Sequence, residues 1–430
     1  MWLLGLALAA RLAVWLGGCW HPAALLTPDS HDYVRLAGGL AHGQFGEPGR
    51  PEIFRVPGYP VFLSVVGRVS KSPAWVCLIQ ALLDVVTCAL VWRLGRRVFG
   101  ERAGRWALFF QATSVVSITY CSRVLSETLF TLAMVGLASL LAEGWSAQRR
   151  RPAVGALAVG AVVAAASYVR AIGGPLVVLV VAWFLATRRW RAALTAGAAA
   201  VVLLLPWHLR NRAQTGFAGF STVAAVNSYR YNACMLLAEQ NGIPFAEQQA
   251  RIDAEFSALA DARAVAEFAR REGWRAIASR PARYAVLHLR TIPRNLFPAV
   301  GDLLQTFGVR VGGSGTLAVL QTQGLVAAVR HYFSGRWAWA VAVLPCVLWL
   351  GLVCGLAAVG GWMLIREHWR QPAVWLTGLA ALYFLVAPGG AAHPRFGVPL
   401  MPLISVLAAG GLSRLLWRRG EGRRSSATAT

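Results

Sequence analysis

Ionisable side chains are costly at membrane depth and at its surfaces. In a chain this apolar, the acids and arginines mark where chemistry could sit. The stretch Thr27-Pro28-Asp29-Ser30-His31-Asp32-Tyr33 sets two carboxylates three residues apart at the start of a predicted helix. Residues so spaced share one helix face. Asp29 could take a proton from a hydroxyl as a general base, or could serve simply as a helix cap. The stretch Phe54-Arg55-Val56-Pro57-Gly58-Tyr59-Pro60 fixes a rigid, non-helical turn. Such backbone is tolerated near the bilayer where it is buried in protein or lines a cavity. Arg55 beside it could hold a phosphate, or could snorkel to the surface.

Three further places collect charge. In Ser122-Arg123-Val124-Leu125-Ser126-Glu127, Glu127 is a second acid for the same site, or a carboxylate favouring a helix N-terminus. Tyr168 and Arg170 stand at one break, and His393-Pro394-Arg395-Phe396 at another. Guanidinium is shaped for bidentate phosphate binding. His393 reads as a pocket residue or as a hydrogen-bonded structural histidine. Pro206-Trp207-His208-Leu209-Arg210-Asn211 closes an apolar run, with Trp207 as an interfacial anchor. Together these pieces describe carboxylates on one side of a pocket and arginines on the other. Sugar transfer from a lipid phosphate needs that pairing: a base for the acceptor, and cations for the departing phosphate.

The elements that must position these residues are membrane helices. Of the 430 residues, 57% are hydrophobic and 14% charged, against about 25% charged in ordinary soluble domains. Apolar runs near the length that crosses ~30 Å of hydrocarbon recur at 2–18, 73–94, 104–121, 125–143, 153–169, 174–187, 192–208, 338–364, 373–387 and 397–417. The fold class is therefore an all-α integral membrane protein of about ten transmembrane helices. The run from Trp2 lacks a basic start and is interrupted by Arg11, so it reads as the first membrane helix rather than a leader.

The net charge of +24 comes from arginines in short clusters between the runs: Arg93 to Arg105, Arg149 to Arg151, Arg188 to Arg191, Arg366 with Arg370, and Arg418 to Arg424. With ten spans and both termini cytoplasmic, every cluster falls on the cytoplasmic side, as the positive-inside rule requires. That distribution argues against a nucleic-acid partner. The chain then divides into an N-terminal transmembrane catalytic module 1–208 with an outer loop 19–72, an outer helical segment 209–337, C-terminal transmembrane helices 338–417 and a basic tail 418–430. Within the outer segment, 246–271 shows helical spacing of Ile252, Phe256, Leu259 and Val265, and 273–297 suits an interfacial helix. The seven cysteines show no metal spacing. A disulfide among Cys19, Cys121 and Cys234 is left open.

The charged pieces also form an ordered set. Asp29-Ser-His-Asp-Tyr33 is followed by Arg55-Val-Pro-Gly-Tyr-Pro60, Gln80 with Leu83-Asp84, Leu125-Ser-Glu127, Pro206-Trp207 with Arg210-Asn211, and Arg395-Phe-Gly-Val-Pro399. The chain thereby resembles the C-type glycosyltransferases of the family 39 kind, relatives of protein O-mannosyltransferases and of the lipid A aminoarabinose transferase. The resemblance implies an outer cavity and an undecaprenyl- or decaprenyl-phosphate sugar donor. It implies Asp29 as catalytic base with Glu127 as second acid, and Arg55, Arg170 and Arg395 against the donor phosphate. Asp32, Tyr33, Tyr59, His393 and Arg210 would line the substrate pocket. Two departures, the separation of Asp29 from Asp32 and Phe396 where tyrosine is common, leave the acceptor open among an envelope glycan, a lipid or a protein.

The expected protein is an inverting transferase of the bacterial inner membrane with its active site facing the periplasm. No cofactor is required on this reading, and a divalent metal is left open because metal dependence varies among the relatives. Two other classes share an outer pocket: a glycolipid transporter or flippase, and a non-enzymatic envelope assembly subunit. Transporters tend to show inverted repeats and broken helices at the bilayer midplane, and neither is visible here. Sugar, acceptor and oligomeric state have no residue-level signature.

Overall fold

The computed structural model describes residues 2–144, 152–309, 316–333 and 337–427. The cluster Arg149 to Arg151 lies outside the described residues. The chain is almost wholly helical. The N-terminal half comprises α1 (Trp2–Trp20), α2 (Pro28–Leu40), α3 (Gly58–Val66), α4 (Pro73–Phe99), α5 (Glu101–Ala112), α6 (Val115–Cys121), α7 (Glu127–Gly144), α8 (Pro152–Val169), α9 (Leu176–Ala186) and α10 (Trp190–Thr215). Between α2 and α3 runs a two-residue ribbon of β1 (Gly46–Glu47) and β2 (Arg50–Pro51), antiparallel, with Glu47 opposite Arg50. The segment expected on the outer side contributes α11 (Val223–Asn227), α12 (Cys234–Asn241), α13 (Phe245–Ser257), α14 (Ala262–Ser279), α15 (Pro281–Thr291), α16 (Val300–Thr306) and α17 (Thr316–Phe333). The last three helices are α18 (Ala340–His368), α19 (Pro372–Val386) and α20 (Met401–Ala427).

Among the described residues, six helical stretches are long and apolar enough to cross a membrane. Three of the other expected spans appear as shorter apolar helices, at 127–142, 171–186 and 374–386. The remaining one, expected over 104–121, is divided into α5 and α6 at Thr113 and Ser114. Ser114 caps the second piece by accepting from the Ser117 amide. The chain is thus a multi-pass membrane protein, with a span count resting on elements of unequal length.

Other boundaries also moved, each for a local reason. Helix α10 continues through Pro206 to Thr215 instead of stopping near 208. Asn211 donates to the carbonyls of Gly219 and Phe220 and Trp207 donates to Phe220, so the returning strand of chain holds the extra turns. The helix then stops at Gly216, whose φ of 71° suits glycine. The helix expected over 246–271 is broken at 258–261, because Asp261 caps a new helix by accepting from the Ala264 amide at 2.8 Å. Ile252 is fully buried from the expected stripe, against Tyr229, Ala233, Cys234 and Ala269. Cys19, Cys121 and Cys234 stand as free thiols.

Packing follows the needs of helices in lipid, where close approach of small residues replaces the hydrophobic drive between helices. Gly360 on α18 and Gly411 on α20 leave no room for a Cβ against the facing backbone, so these two helices touch along their main chains. Deeper in the bundle, Arg11 on α1 is fully buried and bonded to Asp84 on α4, with Nε to Oδ2 at 2.8 Å. Its remaining protons go to the carbonyls of Ala7, Ala112 and Gln111. The interruption of the first apolar run is therefore a clamp joining α1, α4 and α5. Removing one partner leaves a buried charge unpaired, which costs about 3–5 kcal/mol, whereas well-packed apolar replacement of both is near neutral. Arg11→Leu alone is expected to lower the thermal unfolding midpoint in detergent sharply. The double variant Arg11→Leu/Asp84→Leu recovers most of that loss, and equal loss in both would remove the clamp interpretation.

Candidate active site

The first turn of α2 begins with Thr27, whose backbone amide donates to Ser30 Oγ at 2.9 Å. The cap is thus Thr27 with Ser30, not Asp29. Ser30 Oγ also donates to the Val124 carbonyl at 2.8 Å, tying this turn to the chain between α6 and α7. With capping done by others, Asp29 and Asp32 are free to point from one face toward the same guanidinium. Arg55 Nη2 donates to Asp29 Oδ1 at 2.7 Å and to Asp32 Oδ2 at 3.1 Å.

Arg55 reaches them because its backbone is held rigid. Glu52 Oε1 accepts the amides of Phe54 and Arg55 at 2.7 and 3.0 Å. The guanidinium stands 5.0 Å from the ring centroids of both Tyr33 and Phe54. The following Pro57-Gly58 turn starts α3, and Gly58 sits so close to the backbone of Tyr168 and Val169 that a Cβ would not fit. That approach fastens the Arg55 turn to the end of α8, where Arg170 follows.

Arg395 arrives from the far end of the chain. Its Nη1 donates to Asp29 Oδ2 at 2.6 Å, and its Nε lies 4.0 Å from Glu127 Oε1. Glu127, 2% exposed at the start of α7, receives Arg170 Nη1 at 2.5 Å. Arg170 also donates to Ser126 Oγ at 3.3 Å. The five residues Asp29, Arg55, Glu127, Arg170 and Arg395 therefore meet in one cluster, with Asp32 and Tyr33 on its edge. Two buried polar atoms in it, Arg55 Nε and Glu127 Oε2, have no partner.

The electrostatics favour ionised Asp29. Burial alone would raise its pKa, but Arg395 and Arg55 outweigh that and hold it at about 2. In this state both carboxylate oxygens are occupied and the group is a weak base.

Three pocket residues read from the sequence sit elsewhere or do other work. Tyr59 is fully buried; its hydroxyl donates to Gln80 Oε1 at 2.7 Å, and Gln80 Nε2 in turn donates to the Cys121 and Arg123 carbonyls. It backs Tyr33, edge-on at 4.8 Å, and does not line the cluster. Arg210 donates to the Glu52 carbonyl at 2.5 Å and the Phe45 carbonyl at 2.8 Å, and stacks over Trp207 at 4.7 Å. It braces the loop whose Glu52 supports Arg55. His393 is exposed beside the cluster, with Nδ1 3.3 Å from the Tyr120 hydroxyl. Glu52, Tyr120 and Asp302, which complete the surroundings, were missed. Tyr120 and Asp302 are lone polar residues that meet across 182 residues of sequence, and Glu52 acts through the amides of its own turn, which spacing alone does not mark. Among the described residues, no group of three His, Cys, Asp or Glu side chains gathers as a metal site.

Residues 54–209 match the profile of the family described as dolichyl-phosphate-mannose-protein mannosyltransferase. The oligosaccharyltransferase of Archaeoglobus fulgidus in its apo form superimposes with a TM-score of 0.56 at 14% identity, over 99% of this chain and 51% of that one. The Archaeoglobus fulgidus oligosaccharyltransferase AglB in complex with an inhibitory peptide and a dolichol-phosphate gives 0.51 at 13% identity, over 100% and 52%. ArnT from Cupriavidus metallidurans bound to undecaprenyl phosphate gives 0.42 at 16% identity, over 95% and 77%. No curated protein matches the sequence significantly. The chain spans about half the length of the oligosaccharyltransferases it matches. The segment 54–209 contains Arg55, Glu127 and Arg170, three of the five clustered residues, while Asp29 and Arg395 enter from either side of it. The chain thus shares the fold of the Archaeoglobus oligosaccharyltransferase, and its central segment matches the mannosyltransferase profile, in line with the resemblance carried by the ordered motifs.

Proposed function

We propose that the protein transfers a sugar from a polyprenyl phosphate to an acceptor hydroxyl on an envelope glycan, lipid or protein, at the outer face of a bacterial inner membrane. One observation carries the reading: three guanidiniums converge on two carboxylates, and polar atoms are left buried for a ligand to satisfy. The fold adds support, since the Archaeoglobus oligosaccharyltransferase that shares it has been seen with dolichol-phosphate. Orientation follows from charge. Helix α7 runs from Glu127 at the cluster to Ala142, whose carbonyl accepts Arg97 at 2.9 Å. The arginine-rich turn at 93–105 thus lies at the end of α7 away from the cluster, which suits a cytoplasmic side for it.

The chemistry follows from competition for the same cations. A donor phosphate displaces Asp29 from Arg55 and Arg395. Relieved of those partners while still buried, the carboxyl becomes more basic, as a general base requires. Asp29 then accepts the proton of the acceptor hydroxyl, and that oxygen bonds to the anomeric carbon from the face opposite the phosphate. The carbon–oxygen bond to the phosphate breaks with its electron pair leaving on the phosphate, where Arg55, Arg395 and Arg170 hold the charge. Inversion at the anomeric carbon is the outcome.

Mass spectrometry of envelope glycans from a deletion strain complemented with wild type or Asp29→Asn tests the reading. Loss of one sugar from one glycan in the variant, with transfer down about 10²–10⁴-fold at equal membrane abundance, is the expected result. Profiles that separate wild type from deletion but not from Asp29→Asn point to a transporter or an assembly subunit. Arg395→Ala raises the apparent donor constant on the order of tenfold; an unchanged constant removes Arg395 from the phosphate seat. The pH profile gives a further check with a defined sign. A base must be deprotonated, and in the free protein Asp29 titrates at about 2. The acid limb of kcat/KM due to Asp29 therefore lies near that pH and leaves kcat/KM flat above it. The limb of kcat, which reports the donor-bound state, lies higher. Coincident limbs would show that the donor does not release the carboxyl.

A further inference from the structure

Arg395 is anchored by more than its own turn. That turn, 394–400, opens with His393, whose Nδ1 accepts the Arg395 amide at 3.4 Å as an N-terminal cap. The same Nδ1 lies 3.3 Å from the hydroxyl of Tyr120, a residue of α6 that is 2% exposed. Tyr120 in turn donates to Asp302 Oδ2 on α16 at 2.5 Å. Asp302 is itself fixed through its carbonyl, which accepts Arg123 Nη2 at 2.5 Å and Thr306 Oγ1 at 3.1 Å. One turn earlier, fully buried Asn295 accepts the His393 amide at 3.2 Å and donates to the Leu385 carbonyl at 3.0 Å. Gly397 meets the Asn295 carbonyl so closely that no side chain fits there. The outer segment thus grips the Arg395 turn at two points, and one of them ends in a carboxylate that contacts neither Asp29 nor Glu127.

We propose that Asp302, acting through Tyr120 and His393, is a positioning residue that holds Arg395 in register with the donor phosphate. The proposal rests on the transferase reading above and extends it, because it gives the outer segment a part in donor recognition. Four segments would then share the phosphate seat: the first outer loop with Arg55, the α8–α9 break with Arg170, the α19–α20 turn with Arg395, and α16 as its brace. The tyrosine has one proton, and the short contact assigns it to Asp302. With Nδ1 accepting the Arg395 amide and the phenol proton on Asp302, the Tyr120–His393 contact is packing rather than a hydrogen bond, and the tyrosine ring, its centroid 6.3 Å from that of the imidazole and inclined 67° to it, holds His393 by position. The charged groups around His393 are Asp302, Arg395, Glu127 and Asp29. Loss of the Asp302 charge alters this balance at the carboxylate that is not a direct partner of Arg395.

The test measures binding of undecaprenyl phosphate to the purified full chain in nanodiscs, for wild type, Asp302→Asn, Tyr120→Phe, Asp302→Glu, Arg395→Ala and the double variant Asp302→Asn/Arg395→Ala. Asp302→Asn and Tyr120→Phe are expected to weaken binding on the order of tenfold, the coupling found between side chains in contact. Asp302→Glu restores part of it. In the double variant, Asp302→Asn adds nothing to the loss caused by Arg395→Ala. In turnover, the apparent donor constant rises while kcat stays within a few-fold. Equal loss from Asp302→Asn with and without Arg395 would show that Asp302 acts by some other route and overturns the proposal, as would unchanged binding in both single variants. Thermal melting of each variant separates lost positioning from lost folding. Failure of wild type to bind the lipid would instead sink the donor assignment itself.

Discussion

The site depends on one carboxylate shared between two guanidiniums. Asp29 gives one oxygen to Arg55 and the other to Arg395, residues brought together from the first outer loop and the last membrane turn. Neither arginine could lie there unneutralised, since an isolated charge away from water is expensive. The carboxylate makes the convergence of cations affordable before any phosphate arrives. This also explains the shape of the surrounding fold. The side chains in the cluster are carried on breaks between helices, as with Arg55, Arg170 and Arg395, or on the first turn of a helix, as with Asp29 and Glu127, so helices coming from both directions can deliver them to one place.

The scaffold keeps that place by spending polar residues where lipid would otherwise forbid them. Arg11 with Asp84 locks α1 to α4 and α5 below the site, and Tyr59 with Gln80 locks α3 and α4 to the α6–α7 turn beside it. Every donor in these two locks finds a carbonyl or carboxylate, which is the condition for burying them. By contrast, Arg55 Nε and Glu127 Oε2 in the cluster remain unmatched. Unmatched buried atoms also occur at Thr131, Arg294 and Ser413, but those in the cluster belong to charged groups that already share partners.

Much of this was legible in the sequence because composition speaks directly about membranes. Apolar run lengths disclosed the membrane helices, and charge at helix breaks picked out Asp29, Arg55, Glu127, Arg170 and Arg395, which the fold brings together. What stayed hidden depends on direction. Spacing along a chain says that Tyr59 and Arg210 are near the outer end, but not that Tyr59 turns inward to Gln80 or that Arg210 turns to the carbonyls of Phe45 and Glu52. The general-base character of Asp29 was read from residue type alone, whereas the clamped state is set by partners 26 and 366 residues away. Asp302 was invisible for the same reason: in Ala299-Val300-Gly301-Asp302-Leu303 it looks like a plain helix-start acid, and only the fold brings Tyr120 to it.

A membrane protein that moves a solute needs polar groups along a path, and one that performs a reaction needs them at a point. Among the described residues, the deep ion pair of Arg11 with Asp84 is closed on itself, the guanidinium being taken up by that carboxylate and by backbone carbonyls. The open ones gather where α2, α7 and the 394–400 turn meet. On the proposed reading, the headgroup keeps the lipid phosphate near the bilayer surface, so a cationic seat at helix breaks meets its ligand without any need to carry charge across the hydrocarbon. On the same reading, a carboxylate that the phosphate unmasks ties activation to the presence of donor; without it, Asp29 stays clamped between Arg55 and Arg395.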